Sequence, residues 1–567
     1  MCGIHAVISN VAPAPLSPAI KEALCNRGPD YFGQHATRIP NGDDSGATFL
    51  RFTSTVLSLR GDRVAAQPFI HPQTGSVLCW NGEAWKIGGC AIQGNDGQAI
   101  FGLLSEASAS VTGEEAIIDV LRSIQGPFAF VYLDKVAGKV YYGRDRLGRR
   151  SLLASGSDDG GSLVLSSIAD TCDASWNEVE ADGVYVLNLV KNCPDTGALS
   201  HLSLSPSRYE WMVKGGEDLV LSIGKFNMSL PTDSTLLLAS SNPVKMLREQ
   251  LINALRLRIL NIPLPPSAST STSSPPDTRI AILFSGGLDC TVLARLCHDL
   301  LPEGQAVDLL NVAFENPRVA GQLRKQANGA EADVYESCPD RATGRKAFAE
   351  LREVCPGRKF RFITINVPYT ETSSHRAQVI SLMHPHNTEM DLSIAYALHF
   401  AARGQGLCYE QSDPASPSVL YCAPARVLLS GLGADELFGG YVRHATAFSR
   451  QGYRGLVDEL KLDVSRLGKR NLGRDDRVMA HWGKEVRFPY LDEEVVKWAV
   501  ERPAWEKCDF DNPEEVSGVE PGKRVLRLLA QELGLKQVAV EKKRAIQFGS
   551  RTAKMESGRV KGTALVS

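Results

Sequence analysis

The opening run Met1, Cys2, Gly3, Ile4 places a thiol one residue from the start of the chain. Removal of Met1 is expected to leave Cys2 carrying a thiol nucleophile and a free α-amine on one carbon skeleton. Such an amine titrates at about 7.7–8.0, below lysine by more than two units, so near neutrality it can accept the proton of its own side chain. No histidine partner is then required, and His5 is read as a packed or surface residue. A thiol attacking a carboxamide needs donors for the oxyanion and groups that hold the substrate's amino and carboxylate ends. Trp80-Asn81-Gly82-Glu83 follows an apolar strand, and the Asn81 amide with the Gly82 N–H makes a suitable oxyanion pair. Arg60, between Leu59 and Gly61, offers a cation for a carboxylate, and Asp96, between Asn95 and Gly97, an anion for an α-ammonium. Singly, each has a plainer reading: Asn-Gly is a turn signal, and a lone Arg or Asp is a solvated charge.

A second constellation lies in the other half. Phe284-Ser285-Gly286-Gly287-Leu288-Asp289-Cys290 sits where an apolar strand enters a helix. Glycines there let backbone N–H groups approach a phosphate at the positive helix end, and Asp289 is placed to hold magnesium. No lysine follows, so this is not the GxxxxGK[ST] loop. Leu428 to Tyr441 repeats the plan: an apolar strand, then Ser430-Gly431-Leu432-Gly433-Ala434-Asp435-Glu436, which lets Asp435 join Asp289 at one metal.

These groups need elements to carry them. Short alternating or apolar runs at Ser76–Trp80, Phe128–Leu133, Lys139–Tyr142 and Ser162–Leu165 predict a β-rich first domain. A strand over Ile280–Phe284, a helix over Cys290–Leu300 and a strand over Asp308–Phe314 predict a parallel α/β sheet. Between the halves, the spacing over Val244–Ile259 predicts one helix, and Pro263 to Pro276 reads as a stiff Pro/Ser/Thr-rich linker. A length of 567 residues implies several domains, and 43 % hydrophobic with 22 % charged residues is globular usage. A net charge of −2 gives no field for nucleic acid or an anionic membrane. The 13 cysteines stand singly without zinc spacing, and there is neither a signal sequence nor an apolar span, so a cytoplasmic protein is expected.

Taken together the motifs resemble the glutamine-dependent asparagine synthetase family. The first half is similar to class II glutamine amidotransferases in Met1-Cys2-Gly3-Ile4, Asn26-Arg27-Gly28-Pro29-Asp30, Arg60, Gln67-Pro68, Asn81-Gly82-Glu83, Asp96, Tyr142-Gly143-Arg144-Asp145 and Leu147 to Leu152. The second half is similar to ATP pyrophosphatases in Ser285-Gly286-Gly287-Leu288-Asp289. It resembles asparagine synthetases in Ser430 to Tyr441, in Arg474-Asp475-Asp476-Arg477 with Lys484 to Asp492, in Lys523-Arg524-Val525-Leu526-Arg527, and in Lys543 to Ser550. The resemblance implies an α+β N-terminal-nucleophile (αββα) glutaminase domain over 2–205 and a connecting segment over 206–278. An α/β adenine-nucleotide α-hydrolase-like (ATP pyrophosphatase) synthetase domain would follow over 279–555.

By that likeness Cys2 is the nucleophile, Asn81 and Gly82 form the oxyanion hole, and Arg60, Asn81, Glu83 and Asp96 bind glutamine. Phe284, Ser285, Gly286, Gly287, Asp289, Cys290, Val312, Ser430 and Gly431 bind ATP and pyrophosphate. Asp289 and Asp435 hold Mg2+, and Lys523 is a catalytic cation; the run Lys542–Arg544 by itself reads as a solvated face. The implied reaction releases ammonia at Cys2, passes it along an internal route to β-aspartyl-AMP, and yields asparagine, AMP and pyrophosphate. ATP is a substrate with Mg2+, no organic prosthetic group is implied, the partners are small molecules, and a homodimer is one expected assembly. The chain departs from the pattern in three places: Cys290 replaces a serine, Leu432 stands where the family commonly carries a glutamate, and the segment Asp391-Leu392-Ser393-Ile394-Ala395-Tyr396 lacks the Thr and Arg pattern that would recognise aspartate. Two readings therefore stand. One is a glutamine-hydrolysing asparagine synthetase; the other is a glutaminase-competent or inactive homologue whose second half acts on another carboxylate or serves as a scaffold.

Overall fold

Successive residues of Val77–Gly82 and Phe128–Asp134 face two different apolar layers, which fixes how the first half folds. In the computed structural model, Val77, Cys79, Ala129, Val131 and Leu133 join Ile4, Ala6, Ile8, Leu50 and Phe52 in a core between two sheets. Leu78, Trp80, Phe128, Phe130 and Tyr132 point the other way and pack against Ile100, Leu104, Ile117 and Leu121. The latter four lie on the helices Asp96–Ser108 and Gly113–Ser123. On the outer face of the other sheet the helix Pro18–Arg27 buries Ile20 and Leu24 beside Ile168. Helix, sheet, sheet, helix is thus the layer order of this unit.

The structure describes residues 2–40, 47–156, 161–170, 176–189, 205–212, 219–232, 236–266, 276–326, 333–512, 514, 518–555 and 561–566. Met1 and most of the linker expected between Pro263 and Pro276 lie outside them. One unit comprises Met1–Gly216 with Asn261–Ser273 and Leu467–Gly483, the other Glu217–Leu260, Ser274–Arg466 and Lys484–Ser567. The two main sheets of the first unit have six strands each, paired antiparallel. Gly3–Ser9 is an inner strand of one, registered with Ala47–Val56 and Ser162–Ser166, and Val77–Gly82 is an inner strand of the other. Cys2 therefore enters one sheet while Asn81 and Gly82 end a strand of its partner.

The second unit is built on a seven-stranded sheet. Its order is Ser418–Cys422, Gln405–Tyr409, Phe360–Val367, Ala306–Phe314, Thr278–Leu283, Val427–Leu429, Glu485–Arg487, the last five parallel. Ala306–Phe314 is buried at every residue, as a parallel strand covered on both faces must be. The chain starts at Thr278–Leu283, moves outward through the next two parallel strands, then returns to lay Val427–Leu429 on the opposite side. Strand order therefore reverses between Thr278–Leu283 and Val427–Leu429, and the crevice at their carboxyl ends is where open α/β sheets bind ligands. The loops opening there are Phe284–Gly287 and Ser430–Gly433, the two glycine-rich turns of the sequence.

Gly286 has φ +80°, and a Cβ there would lie 2.5 Å from the backbone of Gly344 on the helix Pro339–Val354. Gly344 in turn has no room for a side chain, because Asn311 Nδ2 lies 2.6 Å from where its Cβ would be. Gly286→Ala is expected to lower stability by about 2 kcal/mol or more, through a disfavoured φ and a displaced helix. Comparing its thermal midpoint with that of a Gly304→Ala control, which meets nothing within 4 Å, checks this.

Candidate active sites

In the first unit Cys2 is half-buried at the head of its strand. Arg27, the last residue of the helix Pro18–Arg27, donates from Nε to the Cys2 carbonyl at 3.3 Å. Gln67 Nε2 stands 4.0 Å from Cys2 Sγ, and its Oε1 accepts the Trp80 N–H at 2.8 Å, tying the thiol's surroundings to the strand that ends in Asn81. Asn81 is fully buried, and neither its Oδ1 nor its Nδ2 has a partner among the described residues. An amide in that condition is costly unless a ligand meets it.

Arg60 and Asp96 are already engaged. Arg60 donates to the carbonyls of Ala84 at 2.6 Å and Ile92 at 2.8 Å and faces Glu83 at 3.8 Å. Asp96 Oδ2 accepts the Trp80 indole N–H at 3.0 Å and the Ala84 N–H at 2.8 Å. Burial raises the Asp96 carboxyl above its ordinary range, with the Arg60 charge and these donors pulling against it. His5 is buried, and desolvation lowers its pKa to about 4, so it is a neutral packed residue.

In the second unit the two turns converge on one lysine. Lys523 Nζ lies 2.8 and 2.9 Å from the carboxylate oxygens of Asp289 and 3.0 Å from Asp435 Oδ1. Asp435 Oδ2 meets Lys543 Nζ at 2.9 Å, and Lys543 also lies 3.7 Å over the Tyr441 ring, whose hydroxyl donates to Glu436. Burial opposes ionisation of both acids. The two lysines outweigh it at Asp435, which is held down to about 2, whereas Asp289, beside the Asp435 charge, is raised. Lys523 is raised by the same carboxylates despite its burial, and it sits at the left-handed φ of +55° at the start of the helix Arg524–Glu532. Strained backbone of this kind persists where surrounding contacts fix it. Cys290 Sγ donates to the Gly287 carbonyl at 3.3 Å, and Ser430 Oγ accepts the Leu432 N–H at 3.3 Å. Phe284, just past the strand Thr278–Leu283, and Val312, within the strand Ala306–Phe314, are buried.

Residues 1–196 match the glutamine amidotransferase domain family, and residues 449–564 match the asparagine synthase family. An asparagine synthetase domain-containing protein 1 from Bos taurus is 34 % identical over 649 residues, covering 99 % of this chain and 97 % of that protein. The chain belongs to the asparagine synthetase domain-containing protein 1 family. An asparagine synthetase domain-containing protein of Saccharomyces cerevisiae is 32 % identical, covering 96 % of this chain and 90 % of its own length. A glutamine-hydrolysing asparagine synthetase of Rattus norvegicus is 23 % identical, with 89 % and 77 % covered. The chain thus carries an amino-terminal glutamine amidotransferase domain followed by an asparagine synthase domain. No described helix is long and apolar enough to cross a membrane.

Some residues at the second site have no role assigned from the sequence. Lys543, expected on a solvated face, is an ion-pair partner of Asp435, and Arg527 fastens its segment by donating to the carbonyls of Ala539 at 2.7 Å and Glu541 at 2.9 Å. Asp340 lines the same cavity as Ser285, Asp289, Asp435 and Lys523. It is fixed through its carbonyl, which accepts from Asn311 Nδ2 at 2.9 Å while that amide also holds the Phe284 carbonyl. Burial pushes the Asp340 carboxyl up to about 7, with the Arg544 charge opposing. The unfolded chain releases that proton near pH 4 and the folded chain only near pH 7, so Asp340 favours folding below about pH 4 and loses that contribution as pH rises to about 7. Asp340→Asn is therefore expected to melt like the parent near pH 4 and above it at pH 8, a divergence that thermal melts across that range would reveal.

Proposed function

We propose that the chain is a glutamine-hydrolysing, asparagine synthetase-like enzyme. The observation that carries this reading is the meeting of Asp289, Asp435 and Lys523 at the strand-order reversal, in a protein whose other unit holds a thiol at the head of an inner strand. With Met1 removed, the Cys2 amine takes the thiol proton as sulfur attacks the glutamine carboxamide. The Asn81 amide and the Gly82 N–H donate to the oxyanion, and Arg60, Glu83 and Asp96 orient the substrate's charged end. The amine passes that proton to the leaving nitrogen, ammonia departs, and water then cleaves the acyl-thioester to glutamate and the free Cys2 thiol. This first unit is read as an N-terminal-nucleophile fold, for which its helix–sheet–sheet–helix layering is the support.

In the second unit, read as an ATP pyrophosphatase fold, the aspartate side-chain carboxylate attacks the α-phosphorus of ATP. β-Aspartyl-AMP forms and pyrophosphate leaves. Ammonia then attacks the acyl carbon, and AMP departs with asparagine. Ser285, Gly286, Gly287, Cys290, Ser430 and Gly431 cradle the phosphates, with Phe284 and Val312 beside the nucleotide. Two carboxylates completed by substrate phosphates are a donor set magnesium accepts, and Asp289 and Asp435 converge closely enough to share one ammonium. Those two residues would hold Mg2+, which supplies charge neutralisation on the pyrophosphate. Lys523 then turns from the carboxylates to the phosphates. Leu432 offers no proton-exchanging group, so the proton of the attacking amine must leave through another acceptor.

Purified protein with Mg-ATP and aspartate is expected to exchange labelled pyrophosphate into ATP. Lys523→Met should reduce this about 100-fold or more. Absence of exchange, with glutamine hydrolysis intact, would refute aspartate as the acceptor. Cys2→Ala should abolish glutamine hydrolysis and leave ammonia-dependent asparagine formation in place; hydrolysis surviving that change would refute Cys2 as the nucleophile.

A further inference from the structure

The sequence Arg474-Asp475-Asp476-Arg477 lies among the synthetase motifs, yet it folds with the first unit, on the helix Leu472–Ala480. There Asp476, fully buried, pairs through Oδ2 with Arg27 Nη2 at 2.8 Å and accepts the Ser151 N–H at 3.3 Å. The next residue, Arg477, donates to Ser151 Oγ at 2.9 Å and to Glu178 at 2.6 Å, and Glu178 also receives Arg144 at 2.9 Å. Arg27, Arg144, Arg150, Ser151 and Asp476 are each at most 1 % exposed.

Arg27 faces two ways. One nitrogen is held by Asp476 while Nε holds the Cys2 carbonyl. A buried guanidinium whose carboxylate becomes a neutral amide loses that anchoring charge and shifts toward other acceptors. The backbone of Cys2 is anchored by that same guanidinium, so the moved arginine would release the residue that bears the nucleophile. We infer that Asp476 is a positioning residue for Cys2, acting through Arg27, so that the amidotransferase site is completed by a segment encoded more than 440 residues downstream. The inference rests on the reading of Cys2 as the glutaminase nucleophile. It extends that reading by making an excised amino-terminal half, lacking Leu467–Gly483, an incomplete enzyme.

The test uses the full chain and two independent readouts, glutamine hydrolysis and amide hydrogen exchange. Asp476→Asn should lower kcat about 10- to 100-fold with a smaller change in KM, because a displaced nucleophile affects the chemical step more than binding. It should also speed exchange in the peptide covering residues 2–8, while the peptide covering Phe128–Asp134 in the core keeps its parent rate. Alkylation of Cys79, fully buried between the sheets, reports whether the unit stays folded. If Asp476→Asn exposes Cys79, the pair Arg27→Met with Asp476→Leu replaces the ions by apolar groups of similar bulk. That double variant should protect Cys79 yet keep the low kcat and the fast exchange, since no guanidinium then reaches the Cys2 carbonyl. Parent kcat, or parent exchange at residues 2–8, in a folded variant of either kind overturns the proposal. Should the unaltered protein show no Cys2-dependent hydrolysis, the glutaminase reading falls and the exchange rates alone decide the positioning role.

Discussion

A charge taken out of water must meet an opposite charge, and in this protein the sharpest case is the ammonium of Lys523 between Asp289 and Asp435. Without the lysine, two partly buried carboxylates would face each other. With it, each turn is pinned in place, since Asp289 opens the helix Leu288–Leu300 and Asp435 the helix Ala434–Phe438. The three residues belong to distant stretches: the reversal of strand order brings the turns of Asp289 and Asp435 side by side, and the start of the helix Arg524–Glu532 delivers Lys523 to them. A left-handed lysine is tolerable at this point because its backbone N–H is bound to the Phe438 carbonyl at 2.9 Å while its side chain is held by two acids.

The first unit meets the same constraint with arginine. Arg27 with Asp476 is a fully buried pair, and Arg477 and Arg144 meet the partly buried Glu178; apolar residues of equal volume could often replace such pairs without loss of stability. What apolar residues could not do is specify the segment. Many helices could cover an apolar groove, but only one carrying an acid and an arginine at adjacent positions satisfies Arg27 and Glu178 together. The planar guanidinium also reaches several acceptors at once, which lets Arg27 serve Asp476 and the Cys2 carbonyl together.

Legibility in the sequence followed the range of the interactions. The strand, turn and helix around Ser285 to Asp289 are local, and the structure has a strand at Thr278–Leu283 and a helix from Leu288, two residues ahead of the expected start because Gly287 already caps it. Trp80 and its neighbours alternate between two apolar layers, and that period is visible in the residues. Ion-pair partners have no period. Nothing near Arg474–Arg477 says that Asp476 pairs with Arg27, and its place before the Lys484 to Asp492 motif pointed to the other half. Lys543 looked like one of three solvated cations for the same reason: its partner, Asp435, lies more than 100 residues away. Asp340 carried no signal because what makes it unusual is the burial of its carboxyl against Gly549, a close approach that only the folded chain creates.

The polar groups around Cys2 divide by whether their bonding is complete. Arg60 spends two nitrogens on the carbonyls of Ala84 and Ile92, and Asp96 spends one oxygen on Trp80 and Ala84, so both shape the segment between Asn81 and Asp96. In the proposed binding of glutamine, Arg60 and Asp96 would have only what these internal bonds leave over, which would make the grip directional and not a simple attraction between opposite charges. Asn81 is the reverse case: its amide is buried with both polar atoms unspent, at the end of an inner strand whose backbone cannot drift. An unspent buried donor carries a desolvation penalty in the resting protein that a developing oxyanion would relieve, so the penalty becomes a preference for the transition state over the ground state. Neighbours held by internal bonds, and one fixed amide without them, are the division of labour that the proposed amide hydrolysis at Cys2 would require.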